Sequence, residues 1–405
     1  MIMAPKSILK FNYQLSRVRL AVFLVGTILL GYMVVKSFAA EPLATFEPET
    51  GSLSSGAIAQ PVSGASGSGV VRFSTTTSVP VADHRTPYDA SAPWNTPIGA
   101  TPTIDPNSTN FINRIITKTP LEGQSAGVFA NKAVLTSDVS QYTIPIYSFD
   151  NETPRASVQM SGYFSSYDAG DNSRVGYGYA ATIPNVPIPA QAVSGVGSDG
   201  QITFWDAQNN VEWGFWQFGK NPDGTYYATN GFRYHTGSGY NGRFADGKAG
   251  RGAGTTYLSG LVRRWEIEQG HIDHALSMAY KGPSPECRYP ASKSDGGNFG
   301  GIAGTDAPEG ARVQLNPSLD VTTLGLSSAG VTIARALQQY GAYIIDNSGS
   351  TKVYIEDQTT ANWPISTADP LHIDRYTVSA IPLNQLRVIY GPATNESNPA
   401  CPSPQ

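Results

Sequence analysis

RGAGTTYLSGLVRRWEIEQGHIDHALSMAY, residues 251–280, is the stretch on which the fold turns. Leu258, Leu261, Val262 and Trp265 recur at the spacing of an amphipathic helix, and Gly270 supplies its stop. Beyond Gly270 the period falls to two. Ile272, His274, Leu276, Met278 and Tyr280 then share one strand face, and His271 and Asp273 the other. Glu266 and Glu268 lie on the helix side of this junction. HIDH is not the HExxH of a zinc protease, because its histidines are three apart and stand on a strand, where they diverge. His274 belongs to the packed face. His271 with Asp273, helped by Arg264, is a same-face pair suited to proton abstraction, the carboxylate orienting the imidazole.

Upstream, QITFWDAQNNVEWGFWQF (201–218) reads as a hairpin turning at Ala207 to Asn210. Ile202, Phe204 and Asp206 fall on one face of its first strand, Thr203 and Trp205 on the other. Val211, Trp213 and Phe215 alternate with Glu212, Gly214 and Trp216 in the second. A strand of a sandwich needs only one buried face, so the surplus of Trp205, Trp213 and Trp216 is expected to line a ligand groove. Asp206 and Glu212 beside those indoles form the carboxylate pair that glycoside hydrolysis requires, one as acid and the other as nucleophile or base.

Between the hairpin and the opening stretch lies TGSGYNGRFADGKAGRGAG, which fits neither a phosphate-binding loop nor a dinucleotide fingerprint. Its glycines suit either backbone mobility or close approach of a ligand. Tyr234, His235, Arg243, Asp246 and Arg251 are the side chains expected to meet an anionic or hydroxylated ligand, Tyr234 also being available to protonate a leaving group. SSYDAGDNS (165–173) offers the oxygens of Asp168, Asp171 and Asn172, but without EF-hand spacing it reads as a solvated turn. There is no nucleophile elbow. No metal centre and no cofactor is expected.

Composition points to the compartment. Charged residues are 14% of the 405, against 42 Gly, 29 Pro and 21 Tyr, a balance typical of extracellular β-rich chains. LAVFLVGTILLGYMVV (20–35) follows a basic segment, so residues 1–40 read as a signal peptide or an uncleaved N-terminal membrane anchor. Residues 41–85 read as a Gly/Ser-rich linker, 86–392 as an extracellular domain and 393–405 as a loose tail. Setting aside the five Lys and Arg of the first 36 residues, the net charge of −4 becomes −9. That argues against a nucleic-acid groove. Cys287 and Cys401 either form one bridge or stand as two free thiols.

Further elements are a helix on Phe111, Ile112, Ile115 and Ile116, a second helix over 327–340 ended by Gly341, and a hairpin of AYIIDN with TKVYIED. Together these predict an all-β fold, a β-sandwich or jelly-roll with a few flanking short helices. SAPWNTPIGATPTIDPNS, the Trp/Glu-rich hairpin, GLVRRWEIEQGHIDHAL and ARALQQYGAYIIDNSGS together resemble an uncharacterised group of secreted bacterial and fungal proteins, across most of residues 88–390. The resemblance implies secretion and an all-β fold. It also matches Asp206, Glu212 and Trp213 to an Asp and an acidic, aromatic strand, but SDGQITFWD lacks the His that precedes this Asp in some members. The functional expectation is an exported protein acting on a polysaccharide or cell-surface glycan, possible activities being glycoside hydrolysis, non-catalytic carbohydrate binding or adhesion, and polysaccharide lysis.

Overall fold

The computed structural model describes residues 57–61, 69–73, 86–123, 127–162, 166–168, 174–175, 182–244 and 250–390. The chain divides into two units, Met1–Ser78 and Val79–Gln405. In the first, Ala57–Pro61 pairs antiparallel with Gly69–Phe73, inside the segment read from sequence as a linker. Residues 1–40 and 393–405 lie outside the described residues, as do Asp171, Asn172, Asp246, Cys401 and the side chain of Asp168.

The second unit is built on a six-stranded mixed sheet. Its order is Leu386–Ile389, Arg312–Leu315, Ala342–Asn347, Leu276–Tyr280, Lys352–Tyr354 and Thr136–Asp138. The strand from the opening stretch is central, parallel to Ala342–Asn347 and antiparallel to Lys352–Tyr354. All five of its residues are buried. Helices α1 (Ser108–Lys118) and α3 (Ser328–Gln339) contribute Phe111, Ile115, Ile333 and Leu337 to the same apolar core as Leu276, Met278, Val313 and Val388. A second six-stranded sheet, with the hairpin at its centre, runs Ile146–Ser148, Ile202–Asp206, Val211–Trp216, Asn230–His235, Ser166–Asp168 and Arg174–Val175. A four-stranded sheet shares a core with it through Val158, Ile183, Phe204 and Phe215.

This corrects the all-β sandwich or jelly-roll. The architecture is mixed α/β, with four α-helices among the described residues and open sheets that contain parallel pairs. A parallel pair requires a crossover, and here α3 lies in the crossover from Leu276–Tyr280 to Ala342–Asn347. The alternation over residues 272–280 concealed this, because a strand covered on both faces needs no polar side.

The junction helix, α2, is only Arg264–Gln269, ended by Gly270 in the left-handed conformation at φ 81°. Ser327 caps α3 by accepting the N–H of Gly330, and Gly341 follows at φ 70°. Trp94 is a buried anchor that donates its indole N–H to Asn241 O at 3.0 Å. AYIIDN and TKVYIED do not pair with each other, because Leu276–Tyr280 slots between them. The connecting residues 348–351 therefore cross the end of that strand, where Ser348 N–H donates to Tyr280 O at 3.1 Å. A short α4 (Gln358–Ala361) follows.

Candidate functional site

At the end of the central strand, Ala279 is opposed by Asp346 on one side and Lys352 on the other. Directly opposed residues share a sheet face, so these two ionisable groups emerge together. A bulge brings Asp346 there. Met278 pairs with Ile344 and Ala279 with Asp346, leaving Ile345 as the extra residue. Ile345 O accepts the N–H of Ala253 at 2.9 Å, which pins the Gly-rich loop across the strand. Glu309 arrives on the Pro308–Glu309 strand, where the neighbouring Gly310 N–H donates to Ile344 O at 2.7 Å. Asp295 comes from the start of a single 3-10 turn, Gly296–Phe299.

One oxygen from each of Asp295, Glu309 and Asp346 lies within 4.8 Å of the others. Gly252 packs directly against them. A Cβ there would stand 2.8 Å from Glu309 Oε1, 2.9 Å from Asp295 Cγ and 2.9 Å from Asp346 Oδ1. A glycine at this position is therefore a requirement of close approach, as its loop composition suggested.

Asp295 and Asp346, with Gly252, open on a cavity of about 860 Å³. Tyr142, Phe299 and Trp216 also line it, and Tyr142 and Phe299 are 41% and 51% exposed. The Arg251 side chain is fully buried beside it, with its guanidinium carbon 3.9 Å from the Tyr354 ring centre and 5.4 Å from that of Tyr257. Arg251 Nη1 is 3.8 Å from Asp346 Oδ2, yet none of its three nitrogens has a hydrogen-bond acceptor among the described residues. Neither oxygen of the fully buried Glu309 receives an N–H or hydroxyl donor among them. Buried polar groups are normally paired, so open donors and acceptors in one place make this the candidate site.

Burial, reinforced by the charges of Asp295 and Asp346, holds the Glu309 carboxyl well above the usual carboxylate range. Burial, then the charge of Asp295, pushes Asp346 up to about 7. Burial also raises Asp295, against the hydrogen bond it shares with Glu309 and the charge of Lys293. Lys352 is pushed down to about 8, by burial first and then by Arg251. Its ammonium donates to Tyr142 O at 2.6 Å. Tyr257 and Tyr354 are held protonated by burial.

The residues proposed from sequence are dispersed. The hairpin pairs Asp206 with Val211 and Glu212 with Trp205, which sets the two carboxylates on opposite faces. Asp206 sits at the turn and accepts the N–H groups of Gln208 and Asn209 at 3.0 and 2.9 Å. Glu212 is fully buried and accepts from Tyr257 N, Leu258 N and Tyr88 Oη at 2.9, 3.0 and 3.1 Å. Trp205 and Trp213 are buried, because this sheet is covered on both sides, and only Trp216 of the three reaches the cavity. Tyr234 donates to Asn241 Oδ1 or Arg243 O, at 3.3 and 3.2 Å, and burial pushes it up to about 12. His235 lies 5.0 Å from the Tyr240 ring, and the Arg243 guanidinium 5.6 Å from that of Tyr289. Arg264 is engaged by Glu268 at 2.7 Å and by the carbonyls of Ala361 and Asn362.

His271 does meet Asp273, at 3.3 Å, but as a pair more than half exposed, and neither residue lines the cavity. His274, on the packed side as expected, is matched instead by buried Glu266 at 2.9 Å. Burial opposes a charge on His274, but the charge and hydrogen bond of Glu266 prevail and its pKa is raised. The folded state then holds a proton that the unfolded chain releases near pH 6.5. The pair's stabilisation is accordingly full below that value and lost as pH rises through the raised folded value. Denaturant titrations across pH 6–9 are expected to show this decline in the wild type and a flatter profile in H274Q. The crevice beside the pair, about 10 Å³, has room for no more than a water. Cys287 is disulfide-bonded, and the chain's only other cysteine, Cys401, is outside the described residues.

Sequence reading missed Asp295, Glu309, Asp346 and Lys352, which come from segments up to 57 residues apart with no shared motif. The signal that pointed toward them was the Gly-rich loop with Arg251. No family model, no curated protein and no solved structure matches the chain.

Proposed function

We propose that the chain is an exported polysaccharide-active protein and that its cleft carries out β-elimination on an acidic glycan. The observation that carries this reading is Arg251, a buried guanidinium with open donors beside a cavity large enough for several sugar units. Guanidinium planes suit carboxylates, which they bind in bidentate fashion. Exposed Tyr142 and Phe299, with Trp216, offer faces on which sugar rings stack.

Elimination at a uronate requires three things: neutralising the carboxylate, removing the adjacent carbon-bound proton, and protonating the departing oxygen. Arg251 serves the first. Lys352, pushed down to about 8, is partly neutral just above physiological pH and serves the second. A neutral amine keeps N–H groups for Tyr142 O and leaves its lone pair for the cleft. The phenol of Tyr257, kept protonated by burial, serves the third. The bond between the sugar carbon and the departing oxygen breaks as the carbon–carbon double bond forms. No oxidant or reductant is needed. Convergence of the three carboxylates on each other, rather than across a sugar-sized gap, favours elimination over hydrolysis.

Acidic and neutral polysaccharides incubated with the purified chain should separate the possibilities, with unsaturated products followed by ultraviolet absorbance and reducing ends counted in parallel. Unsaturated ends are expected from acidic glycans only. K352M is expected to lower kcat on the order of 1000-fold, and R251K to raise KM about tenfold or more. The wild-type kcat is expected to rise with pH through about 8, as the Lys352 ammonium loses its proton. Reducing ends without unsaturation would sink the elimination mechanism, and tight binding without turnover would make the protein a carbohydrate-binding module.

A further inference from the structure

We infer that Asp295, Glu309 and Asp346 form a binding site for a calcium-sized divalent cation at the floor of the cleft. Their mutual spacing, at most 4.8 Å between one oxygen of each, matches two metal–oxygen bonds across a single ion. Calcium–oxygen bonds are about 2.3–2.6 Å long. The donor set is all oxygen, as a hard cation requires.

A cluster of acids alone does not establish a site. The second observation is Glu309, fully buried, with neither oxygen receiving an N–H or hydroxyl donor among the described residues. Asp295 Oδ1 is likewise without a donor. Among those residues Glu309 faces the Asp295 carboxyl and no other hydrogen-bonding partner, and two buried carboxyls set against each other are costly unless a proton or a cation completes them. Gly252 leaves steric room for an ion. Its missing side chain leaves open the place where a Cβ would touch all three carboxyl groups. The backbone above them is fixed by Ala253 N–H on Ile345 O and by Ser292 N–H on Ala253 O, at 2.9 and 2.8 Å.

The charged groups facing the cluster are Lys293, whose charge acts on all three acids, and, on the Asp346 side, Arg251, Lys352 and the opposing Asp199. None gives Glu309 a hydrogen bond. With a dication bound, these neighbours leave the floor of the cleft positive overall, suited to an anionic substituent. This rests on the reading of the cleft as a site for acidic glycans and extends it: the cation and Arg251 would share the substrate's carboxylate. Asp295 and Asp346 both line the cavity and are half-buried, so the ion's remaining positions face it.

The test uses the full chain, stripped with a chelator, at one fixed pH and without glycan. Calcium, manganese and magnesium are titrated separately by calorimetry, with melting temperature read in parallel. One ion per chain is expected, with calcium or manganese above magnesium and a Tm rise on the order of 5 °C at a hundredfold excess over Kd. D346N and E309Q are expected to weaken binding at least tenfold, each checked by circular dichroism for a native fold. No heat and no Tm change with any cation overturns the site. Unchanged binding in both variants overturns it too, as do E309Q and D346N melting above a wild type that ignores cations, since a shared proton then completes the cluster. Because glycan is absent, failure here is distinguishable from failure of the elimination reading, which unsaturated products test.

Discussion

Gly252→Ala is expected to lower activity in the cleft on the order of 100-fold while leaving the chain folded. The added methyl would stand 2.8–2.9 Å from atoms of Glu309, Asp295 and Asp346 at once. Those atoms are the ends of side chains, so the carboxylates are displaced and the backbone keeps its course. Overpacking of this kind costs about 1–3 kcal/mol, which a domain with three apolar clusters can absorb. Function has no such tolerance, because a misplacement near 1 Å lowers rates on the order of 100-fold. Cation affinity is expected to fall by at least as much. Gly250→Ala is the contrast. Its Cβ would meet the backbone oxygen of Thr255 at 1.9 Å, from a φ of 77°, so the loop itself must distort and the melting temperature should fall further. G252A with wild-type turnover and wild-type cation response would remove the three carboxylates from the mechanism.

Glu212→Ala is expected to cost about 3–5 kcal/mol, whereas Glu212→Gln should be tolerated. Alanine strands the N–H groups of Tyr257 and Leu258 and the hydroxyl of Tyr88, all buried. Glutamine keeps an oxygen for both N–H groups and an amide to face Tyr88 and Thr256. Desolvation raises the Glu212 carboxyl from 4.5 to about 7, against the hydrogen bonds it receives. Between those values the folded state holds a proton that the unfolded chain has released. Stability therefore falls as pH rises from 4.5 to about 7 and levels off above, by a total of about 3 kcal/mol. E212Q lacks this component, so the difference between the two proteins should grow across that window in urea titrations. The same variant decides what Glu212 is for. A folded, active E212Q confirms a carboxylate that ties the hairpin to the loop before α2. A folded but inactive one would restore Glu212 as a catalytic acid.

Much of the local structure was legible in the chain. The hairpin and its turn followed from alternation, because strand faces repeat every second residue whatever packs on them. Helices α1 and α3 followed from three-and-four spacing, and α3 from its Ser327 cap and Gly341 stop. Alternation does not say whether one face or both are covered, and that is where the groove of surplus tryptophans failed. Trp205 and Trp213 are core residues of a sheet buried on both sides. The carboxylate pair failed for a related reason: Asp206 and Glu212 are near in sequence, but their registers place them on opposite faces.

The sequence by itself determined where the chain changes period at Gly270, and it marked the Gly-rich loop with Arg251 as a segment of mobility or close approach. Each is a property of a few neighbouring residues. Only the tertiary structure decided what they approach. Leu276–Tyr280 enters between two strands that local pattern had paired with each other, a bulge at Ile345 turns Asp346 to the face of Lys352, and a distant two-residue strand delivers Glu309. Strand order, register and bulges arise from contacts between remote segments, so the site they assemble leaves no spacing in the chain to read.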